Sequence, residues 1–189
     1  LTDASVEAVA ESCPRLTELC ISDCAKITDA AITLVAEACP NLADLGVSKV
    51  STFNEAALAA IATNSIRLTR LNIAYCKHLT DAFVAAVAQT CPGLTSLSAG
   101  STSEITDAAI AAIAESCPNL LDLDLAYCDL AVLPENIGNL SRLRRLDVKG
   151  NQLSELPRSI VDLDVSCCIA FYGNPSEHPP YDLEIGRHT

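Results

Sequence analysis

A segment of about 26 residues recurs along the first two thirds of this chain, and this recurrence constrains the fold more than any single residue. Four copies follow one another without a gap, beginning at Cys13, Cys39, Ser65 and Cys91, and a fifth begins at Cys117. A repeat of this length is one supersecondary unit with too small an apolar face to fold alone, so the copies are expected to stack into a solenoid. Function is therefore expected on a repeated surface rather than in one pocket.

The first half of each copy has the pattern of a short β-strand. Apolar residues alternate with the period of two that one buried face requires, so the strands of successive copies are expected to stack in parallel. The motif LxxLxLxxC is complete three times, at Leu16, Leu19, Ile21 and Cys24, at Leu68, Leu71, Ile73 and Cys76, and at Leu120, Leu123, Leu125 and Cys128.

The second half of each copy changes to a helical period. The apolar stripe of one such segment consists of Ile27, Ala30, Ala31, Leu34, Val35 and Ala38. A residue that can cap a helix N-terminus precedes each stripe, and an acidic residue follows it in the first turn, where the helix dipole favours negative charge. The predicted N-caps are Thr28, Asn54, Thr80 and Thr106. We expect these helices on the convex side of the solenoid.

These units resemble the cysteine-containing subtype of leucine-rich repeats, which read roughly CxxLxxLxLxxCxxITDxxLxxLA. The resemblance covers residues 1 to about 128, because residues 1–12 align with the helical segment at 27–38. It implies an α/β solenoid with a parallel concave β-sheet and convex helices.

From Leu130 onward the repeat becomes shorter. The stretch LAVLPENIGNLSRLRRLDVKGNQLSELPRSI resembles the second common leucine-rich subtype, LPxxIxxLxxLxxLxLxxNxLxxLP, over about residues 129–160. Asn151 takes the place of the cysteine. Units of about 23 residues leave no room for a long helix, so the resemblance implies turns or short 3₁₀ segments on the convex side, and a change of curvature near Asp129.

Residues 161–165 alternate in the same way and are predicted to form the last strand, with Asp162, Asp164 and Ser166 pointing outward. Residues 167–189, with Phe171, Tyr172 and a GNP turn, are predicted to cap the open end of the core. The length fits one domain, divided into residues 1–128, 129–166 and 167–189. Because Leu1 corresponds to the middle of a repeat, we expect the chain to be a fragment of a longer protein.

Seven of the ten cysteines recur because the repeat recurs, which does not suggest a disulfide framework. They are Cys13, Cys39, Cys91 and Cys117 at one repeat position and Cys24, Cys76 and Cys128 at another. Cys24, Cys76 and Cys128 lie two repeats apart, and at about 4.8 Å per strand their separation exceeds the reach of a disulfide. A reducing, cytoplasmic location is the preferred interpretation. No CxxC pair occurs, so neither a metal site nor another cofactor is expected.

Catalysis is not expected, because no histidine shares a strand face with an outward cysteine or serine and no phosphate-binding glycine motif occurs. The formal net charge is −12, from 24 acidic and 12 basic residues. This charge disfavours nucleic acid and anionic membranes as partners. It favours a protein or peptide with a basic patch.

The residues between the motif leucines are expected to face outward along the concave sheet, where they are free of the packing constraint. Tyr75 and Tyr127 follow two strands at the same repeat position, and aromatic residues are favoured in binding hot spots. Small residues at Ser96, Ser98, Gly100 and Ser101 leave a trough between them. The predicted binding residues are Arg70, Asn72, Tyr75, Ser96, Ser98, Asp122, Asp124, Tyr127, Arg145 and Asp147.

These observations favour a non-catalytic protein-interaction scaffold. The cysteine-containing repeats also resemble those of F-box proteins, which implies the substrate-recognition part of a cullin-type ubiquitin ligase. The alternatives that remain open are a small-molecule or peptide sensor and a pathogen effector, since the same fold serves all of these roles.

Overall fold

The structure, a computed structural model, describes residues 1–50, 55–76 and 78–175. Within them, seven short strands form a single parallel sheet in the order of the chain. This confirms the predicted α/β leucine-rich repeat solenoid. The strands are β1 (Glu18–Cys20), β2 (Asp44–Gly46), β3 (Arg70–Asn72), β4 (Ser96–Ser98), β5 (Asp122–Asp124), β6 (Arg145–Asp147) and β7 (Cys168–Ala170).

Helical segments connect the strands on the convex side, and they shorten toward the C-terminus as predicted. The α-helices are α1 (Asp3–Ser12), α2 (Asp29–Ala38), α3 (Glu55–Asn64), α4 (Asp81–Thr90) and α5 (Asp107–Ser116). Two 3₁₀ helices follow, at Glu135–Asn139 and Arg158–Asp162. The change comes where the repeat drops from 26 to 23 residues, as the register partners Asp122 and Arg145 show.

Two files of leucines run through the core. The central leucine of each strand pairs laterally with that of the next, so that Leu45, Leu71, Leu97 and Leu123 are neighbours. The leucines that precede the strands by two residues form the second file, at Leu42, Leu68, Leu94, Leu120 and Leu143, all at most 1% exposed. Burying a leucine contributes about 2 kcal/mol. Each strand supplies few such residues, so the core exists only when repeats stack.

The predicted N-cap positions are confirmed where the structure describes them. Thr28, Thr80 and Thr106 each precede an α-helix with an extended backbone. Only the Thr106 side chain caps its own helix, by accepting a hydrogen bond from the backbone N–H of Ala108 at 3.2 Å. Asn54 lies outside the described residues.

Two of these threonines, Thr28 and Thr106, also join neighbouring repeats. The Thr28 amide and hydroxyl donate to the two carboxylate oxygens of Asp3 in the preceding helix, at 2.7 and 2.6 Å. Thr106 makes the same pair of bonds to Asp81, also at 2.7 and 2.6 Å. The first-turn aspartate therefore links the start of one helix to the start of the next. The sequence analysis had assigned it only to the helix dipole.

The buried position after each strand also links repeats. Cys76 and Cys128 are at most 1% exposed, and each thiol donates to a backbone carbonyl of the preceding repeat, at 3.3 Å to Val47 and 3.3 Å to Ala99. Burial raises the pKa of the Cys76 thiol to about 11, so it stays protonated as a donor. Cys24, at the first of these positions, is only partly buried.

Asparagine replaces cysteine at this position in the shorter repeats and makes more bonds. The Asn151 side-chain carbonyl accepts from the backbone N–H groups of Cys128 and Leu130, at 2.9 and 3.0 Å. Its amide donates to the backbone carbonyls of Leu125 and Val148, at 2.9 and 2.8 Å. One buried side chain thus satisfies four backbone groups of two repeats.

The prediction of a last strand at 161–165 is wrong. Arg158–Asp162 is a 3₁₀ helix, and the last described strand is Cys168–Ala170, which begins 23 positions after Arg145 and pairs with it. A strand at 161–165 would have closed a unit too short to return to the sheet edge. Asp162, Asp164 and Ser166 are therefore not on the concave face.

The corrected register shows that Asn174 occupies the same position as Asn151. Its amide donates to the Val148 carbonyl at 3.0 Å, and its side-chain carbonyl accepts from the Leu153 N–H at 3.0 Å. Phe171 lies in the core, 7% exposed. The segment predicted to be a cap thus begins with a further strand and its buried asparagine.

All ten cysteines are unpaired thiols. The cytoplasmic location stays a prediction. In the described part of the chain, no helix is long and apolar enough to cross a membrane.

Replacing Asn151 with alanine is expected to destabilise the protein by about 3 kcal/mol or more, because it leaves several buried backbone groups without partners. Urea unfolding measures this loss. Gln152→Ala is the matched control, since the neighbouring Gln152 is exposed, and it should change the unfolding free energy little. Similar losses in the two variants would contradict the structural role of the asparagine.

Replacing Asp3 with asparagine is expected to loosen α1 in a pH-dependent way. The hydrogen bonds from Thr28 lower the pKa of Asp3. Its stabilising effect is therefore complete above the ordinary pKa of aspartate and is lost as the pH falls through the lowered value. Hydrogen-exchange protection of α1 should be weaker in the variant at neutral pH and equal in acid. Glu7→Gln on the same helix is the control, and equal protection at neutral pH would contradict the link.

Candidate binding surface

The sheet register places eight of the ten predicted binding residues in two adjacent rows on the concave face. The first row runs from Arg70 through Ser96 and Asp122 to Arg145, and the second from Asn72 through Ser98 and Asp124 to Asp147. Tyr75 and Tyr127 lie beyond the strand ends. Whether these residues bind a partner stays a prediction, but their own contacts separate those available for recognition from those engaged in the fold.

Arg70 is neutralised by carboxylates of the chain itself. Its Nε donates to Asp44 Oδ2 at 2.6 Å, and its guanidinium lies 3.8 Å from the Glu18 carboxylate. Glu18, Asp44 and Arg70 are register partners on three successive strands. Arg70 therefore brings little free positive charge to a partner.

Three residues of the second row close the turns that follow their strands. The side-chain oxygens of Asn72, Asp124 and Asp147 each accept from the backbone N–H two residues further on, at 3.1, 3.1 and 3.3 Å. This is the local hydrogen bond that asparagine and aspartate make in turns. Ser98 donates to the second oxygen of Asp124 at 3.1 Å. These side chains have a structural role that alternation alone does not reveal.

Asp147 is the most engaged of the predicted residues. It is 3% exposed, and its carboxylate lies 3.4 Å from Arg145 and 3.2 Å from Lys149. The carboxylate raises the pKa of Lys149, chiefly through their hydrogen bond. The three groups form a compact network at the C-terminal end of the surface.

Asp122 differs from these residues. It is exposed, and its carboxylate makes no hydrogen bond or ion pair with the described residues. Its neighbours in the row are Ser96, which is short, and Arg145, whose charge is directed to Asp147. Asp122 is thus the carboxylate of the two rows that is available to a cation on a partner.

The third residue after each strand, here called the exit position, has a left-handed backbone in all seven repeats. The exit positions are Asp23, Lys49, Tyr75, Ser101, Tyr127, Gly150 and Gly173, with φ between 58° and 76°. The backbone N–H of Tyr75 donates to the Gly100 carbonyl at 2.8 Å, and that of Tyr127 to Lys149 at 2.9 Å. The conformation therefore extends the ladder of hydrogen bonds past the strand ends.

A left-handed backbone costs a residue other than glycine roughly 1–2 kcal/mol. Glycine occupies the position in the last two repeats, where it avoids this cost. Tyr75 and Tyr127 bear it with side chains that remain 53% and 54% exposed. Burial in the core therefore does not explain why tyrosines occupy these two exit positions.

A lysine of the chain lies over each of these tyrosine rings. Lys49 Nζ is 5.5 Å from the centroid of Tyr75, and Lys149 Nζ is 6.0 Å from that of Tyr127. Lys49 also pairs with Asp23 at 3.0 Å. Both distances lie within the range of cation–π attraction, so the lysines help to orient the exposed rings.

The ring of Tyr127 crosses the backbone of Gly150. A Cβ built on Gly150 would overlap the ring carbons Cε1 and Cδ1. Because Gly150 of the next repeat has no side chain, the Tyr127 ring can lie against its backbone.

Tyr172 belongs to the same surface and was missed by the sequence analysis. It directly precedes the exit position Gly173, its carbonyl accepts from Gly150 N–H at 3.0 Å, and its side chain is 66% exposed. The repeat signal that reveals it is the dipeptide Gly-Asn, which follows Tyr172 as it follows Lys149.

The predicted trough lies between the tyrosines. Ser96 and Ser98 are partly buried and Gly100 is buried. A Cβ on Gly100 would approach the Ala126 carbonyl to 3.1 Å and Asp124 Oδ1 to 3.2 Å, so the glycine lets two repeats come close together. Ser101, at the exit position, leaves the space beside the two rings free of a large side chain.

Within the described ranges, no group of three or more His, Cys, Asp or Glu residues has the arrangement that a metal ion requires. The surface offers hydroxyls, a carboxylate and aromatic rings. These groups suit the binding of a polypeptide.

The family model that matches within the chain is the Leucine Rich Repeat model, over residues 142–163. This stretch contains β6 and the second 3₁₀ helix, and so belongs to the shorter repeats. A sequence comparison with curated proteins found no significant match.

Similar folds occur among solved structures at low sequence identity. The C-terminal domain of tropomodulin from Caenorhabditis elegans has 16% identity and a TM-score of 0.54, over 67% of this chain and 84% of that one. Pollen Receptor Kinase 3 has 15% identity and a TM-score of 0.59, over 89% and 78%. An internalin from Listeria monocytogenes has 16% identity and a TM-score of 0.67, over 89% of this chain and 51% of that one. These likenesses concern the fold alone.

Replacing Gly150 with alanine is expected to destabilise the protein by about 2 kcal/mol, because the new Cβ meets both a left-handed backbone and the Tyr127 ring. Urea unfolding tests this, with Gly93→Ala as the control, since a Cβ there meets nothing within 4 Å. In a Tyr127→Ala background the cost should fall. An unchanged cost would contradict the contact between ring and glycine.

Proposed function

We propose that this chain is a non-catalytic scaffold that binds a protein or peptide on its concave face. The observation that carries the proposal is the pair of tyrosines at exit positions. Tyr75 and Tyr127 are half-exposed and keep a backbone conformation that glycine adopts at lower cost. Exposed aromatic residues with a restricted orientation are suited to act as binding anchors.

The contacts of the surface narrow the set of residues proposed to bind. Arg70 pairs with Asp44, and Arg145 pairs with Asp147. The side chains of Asn72 and Asp124 close turns. Ser98 donates to Asp124. The proposed contact surface is therefore formed by Tyr75, Ser96, Ser101, Asp122, Tyr127 and Tyr172.

The charge of the chain supports a partner with a basic patch. Asp122 is exposed beside the trough, and the formal net charge of −12 attracts cationic partners at long range. Both features disfavour nucleic acid and anionic membranes. A lysine or arginine of the partner would pair with Asp122 while apolar groups cover the rings.

A finer proposal concerns the biological role. The resemblance of residues 1–128 to the repeats of F-box proteins supports a cytoplasmic role in substrate recognition for a cullin-type ubiquitin ligase. A sensor of a small molecule or peptide, or a pathogen effector, would use the same face. Co-purification of the natural protein with a cullin distinguishes the first role from the others.

Replacing both Tyr75 and Tyr127 with alanine is expected to weaken partner binding by about 2 kcal/mol or more, roughly 30-fold, without unfolding the protein. The ligand is a basic peptide selected by display on the wild-type chain, and its affinity is measured by titration. The control is Ile66→Ala with Val161→Ala, which removes two residues that are each 61% exposed and lie outside the two rows and the exit positions.

A second double variant, with glycine at both positions, separates binding from folding. Glycine removes the rings and also relieves the left-handed backbone, so this variant should unfold no more easily than the alanine variant while binding as weakly. Equal affinity of the wild-type and alanine proteins for every selected peptide would contradict the proposed site.

A further inference from the structure

The opposite edge of the sheet, where the strands begin, carries a groove of about 550 Å³. Its lining spans three successive repeats and continues to the segment after the second 3₁₀ helix. We call it the entry groove, and it is lined by Gly93, Thr95, Asn119, Leu121, Ser141, Arg142, Arg144 and Asp164. Most of these groups are polar. The groove is separate from the exit positions, which lie beyond the other end of the strands.

Backbone pairing determines where the groove lies. The residue before each strand donates its N–H to the corresponding residue of the preceding repeat, as Leu121 does to Thr95 and Arg144 does to Leu121, both at 2.8 Å. The side chains of these residues therefore form a row beside the strand starts. Gly93, Asn119 and Arg142 form a second row two positions earlier. The groove runs between repeats whose relative position is set by the sheet.

Two arginines that form no ion pair within 4 Å among the described residues line this groove. Arg142 Nη1 donates to the Asn119 side-chain carbonyl at 2.6 Å, a neutral acceptor that orients the guanidinium without cancelling its charge. Arg144 is exposed. Among the described residues, neither has a carboxylate within 4 Å, whereas Arg70, Arg145 and Lys149 each do.

Asp164 is the acidic residue of the lining. Its carboxylate accepts from the backbone N–H of Ser166 at 2.8 Å and from the Ser166 hydroxyl, and these bonds are the main reason that the pKa of Asp164 is lowered. The charge of Arg144 contributes to the same shift. One carboxylate thus faces two guanidiniums, which leaves an excess of positive charge in the groove of an acidic protein.

We propose that the entry groove binds an oxyanion, a carboxylate or a phosphate, on an acidic segment of a protein partner. A planar guanidinium matches the two oxygens of either group, and such charge-assisted hydrogen bonds are stronger than neutral ones. The exposed Ser141 lines the same space, whereas the Thr95 hydroxyl donates to the Thr69 carbonyl at 2.9 Å. Because the chain as a whole carries a net charge of −12, nonspecific attraction of anions is weak. Binding of an acidic peptide therefore requires the local arginines.

The test uses the intact chain and three labelled peptides of one sequence, which carry two adjacent glutamates, two phosphoserines or two glutamines. The loss variant combines Arg142→Gln with Arg144→Gln. The matched control combines Arg15→Gln with Arg67→Gln, exposed arginines at the repeat position of Arg142 in other repeats. Both variants change the net charge equally. A third variant, Asp164→Asn, removes the acid from the groove and keeps an acceptor for Ser166.

At least one of the two acidic peptides should bind the wild type and the control with equal affinity. It should bind the Arg142/Arg144 variant about tenfold more weakly. Asp164→Asn should bind severalfold more tightly. Binding of both acidic peptides assigns a general oxyanion site, whereas binding of the phosphoserine peptide alone identifies phosphate as the source. Two results would overturn the proposal: equal weakening in the Arg15/Arg67 control, or no preference of the wild type for either acidic peptide over the glutamine peptide.

Discussion

Each of the seven strands in the described part of the chain is three residues long, and the fold depends on how such strands pair sideways. A strand of this length has one central residue for the core, so it has no independent stability. The pairing keeps equivalent residues side by side, as for Leu71 with Leu97 and Leu123. The exit positions then extend the backbone bonds beyond the strands. Lateral stacking therefore controls the core, the buried hydrogen bonds and the placement of every surface side chain.

The interactions that link repeats differ between the two halves of the chain. In the longer repeats, a first-turn aspartate such as Asp3 holds the threonine that starts the next helix, and buried thiols make single weak bonds to carbonyls. In the shorter repeats the helices are reduced to single 3₁₀ turns, and Asn151 and Asn174 bond several backbone groups. In the shorter repeats, where the convex helical segments are shorter, the side-chain hydrogen bonds that link repeats therefore lie beside the sheet rather than at the helix starts.

Much of this could be predicted from the periodicity of the sequence. The alternation around Leu71 reports burial directly, and the fold follows from the recurrence of the units. The predicted stripe from Ile27 is wrong in part, because Ile32 and Ala36 are buried, whereas Ala30 is exposed and Leu34 and Ala38 are only partly buried. The error at 161–165 came from giving alternation more weight than unit length, because a strand there closes a unit shorter than a regular repeat. The spacing of 23 residues between the Gly-Asn pairs at 150–151 and 173–174 is the stronger signal, because the buried asparagine has to lie at one depth in every repeat.

The candidate binding surface was harder to predict than the fold. Alternation places Asn72 and Arg70 on the outer face, but their partners are a backbone amide two residues away and a carboxylate 26 residues away. Such bonds depend on side-chain geometry that periodicity does not encode. The left-handed backbone at Tyr75 was also hidden, because only the last two repeats place glycine there. The residues left unengaged, such as Asp122, emerge only once these bonds are known.

The spacing of the exit positions has a consequence for the shape of any chain that touches both tyrosines. Tyr75 and Tyr127 lie two strands apart, about 10 Å when measured across a parallel sheet. A polyproline II helix turns once in three residues and rises about 9.3 Å, so it presents every third side chain on one face at nearly this interval. In a β-strand, by contrast, residues three apart point to opposite faces. The periodicity of the solenoid thus matches that of a proline-rich segment running across its strands.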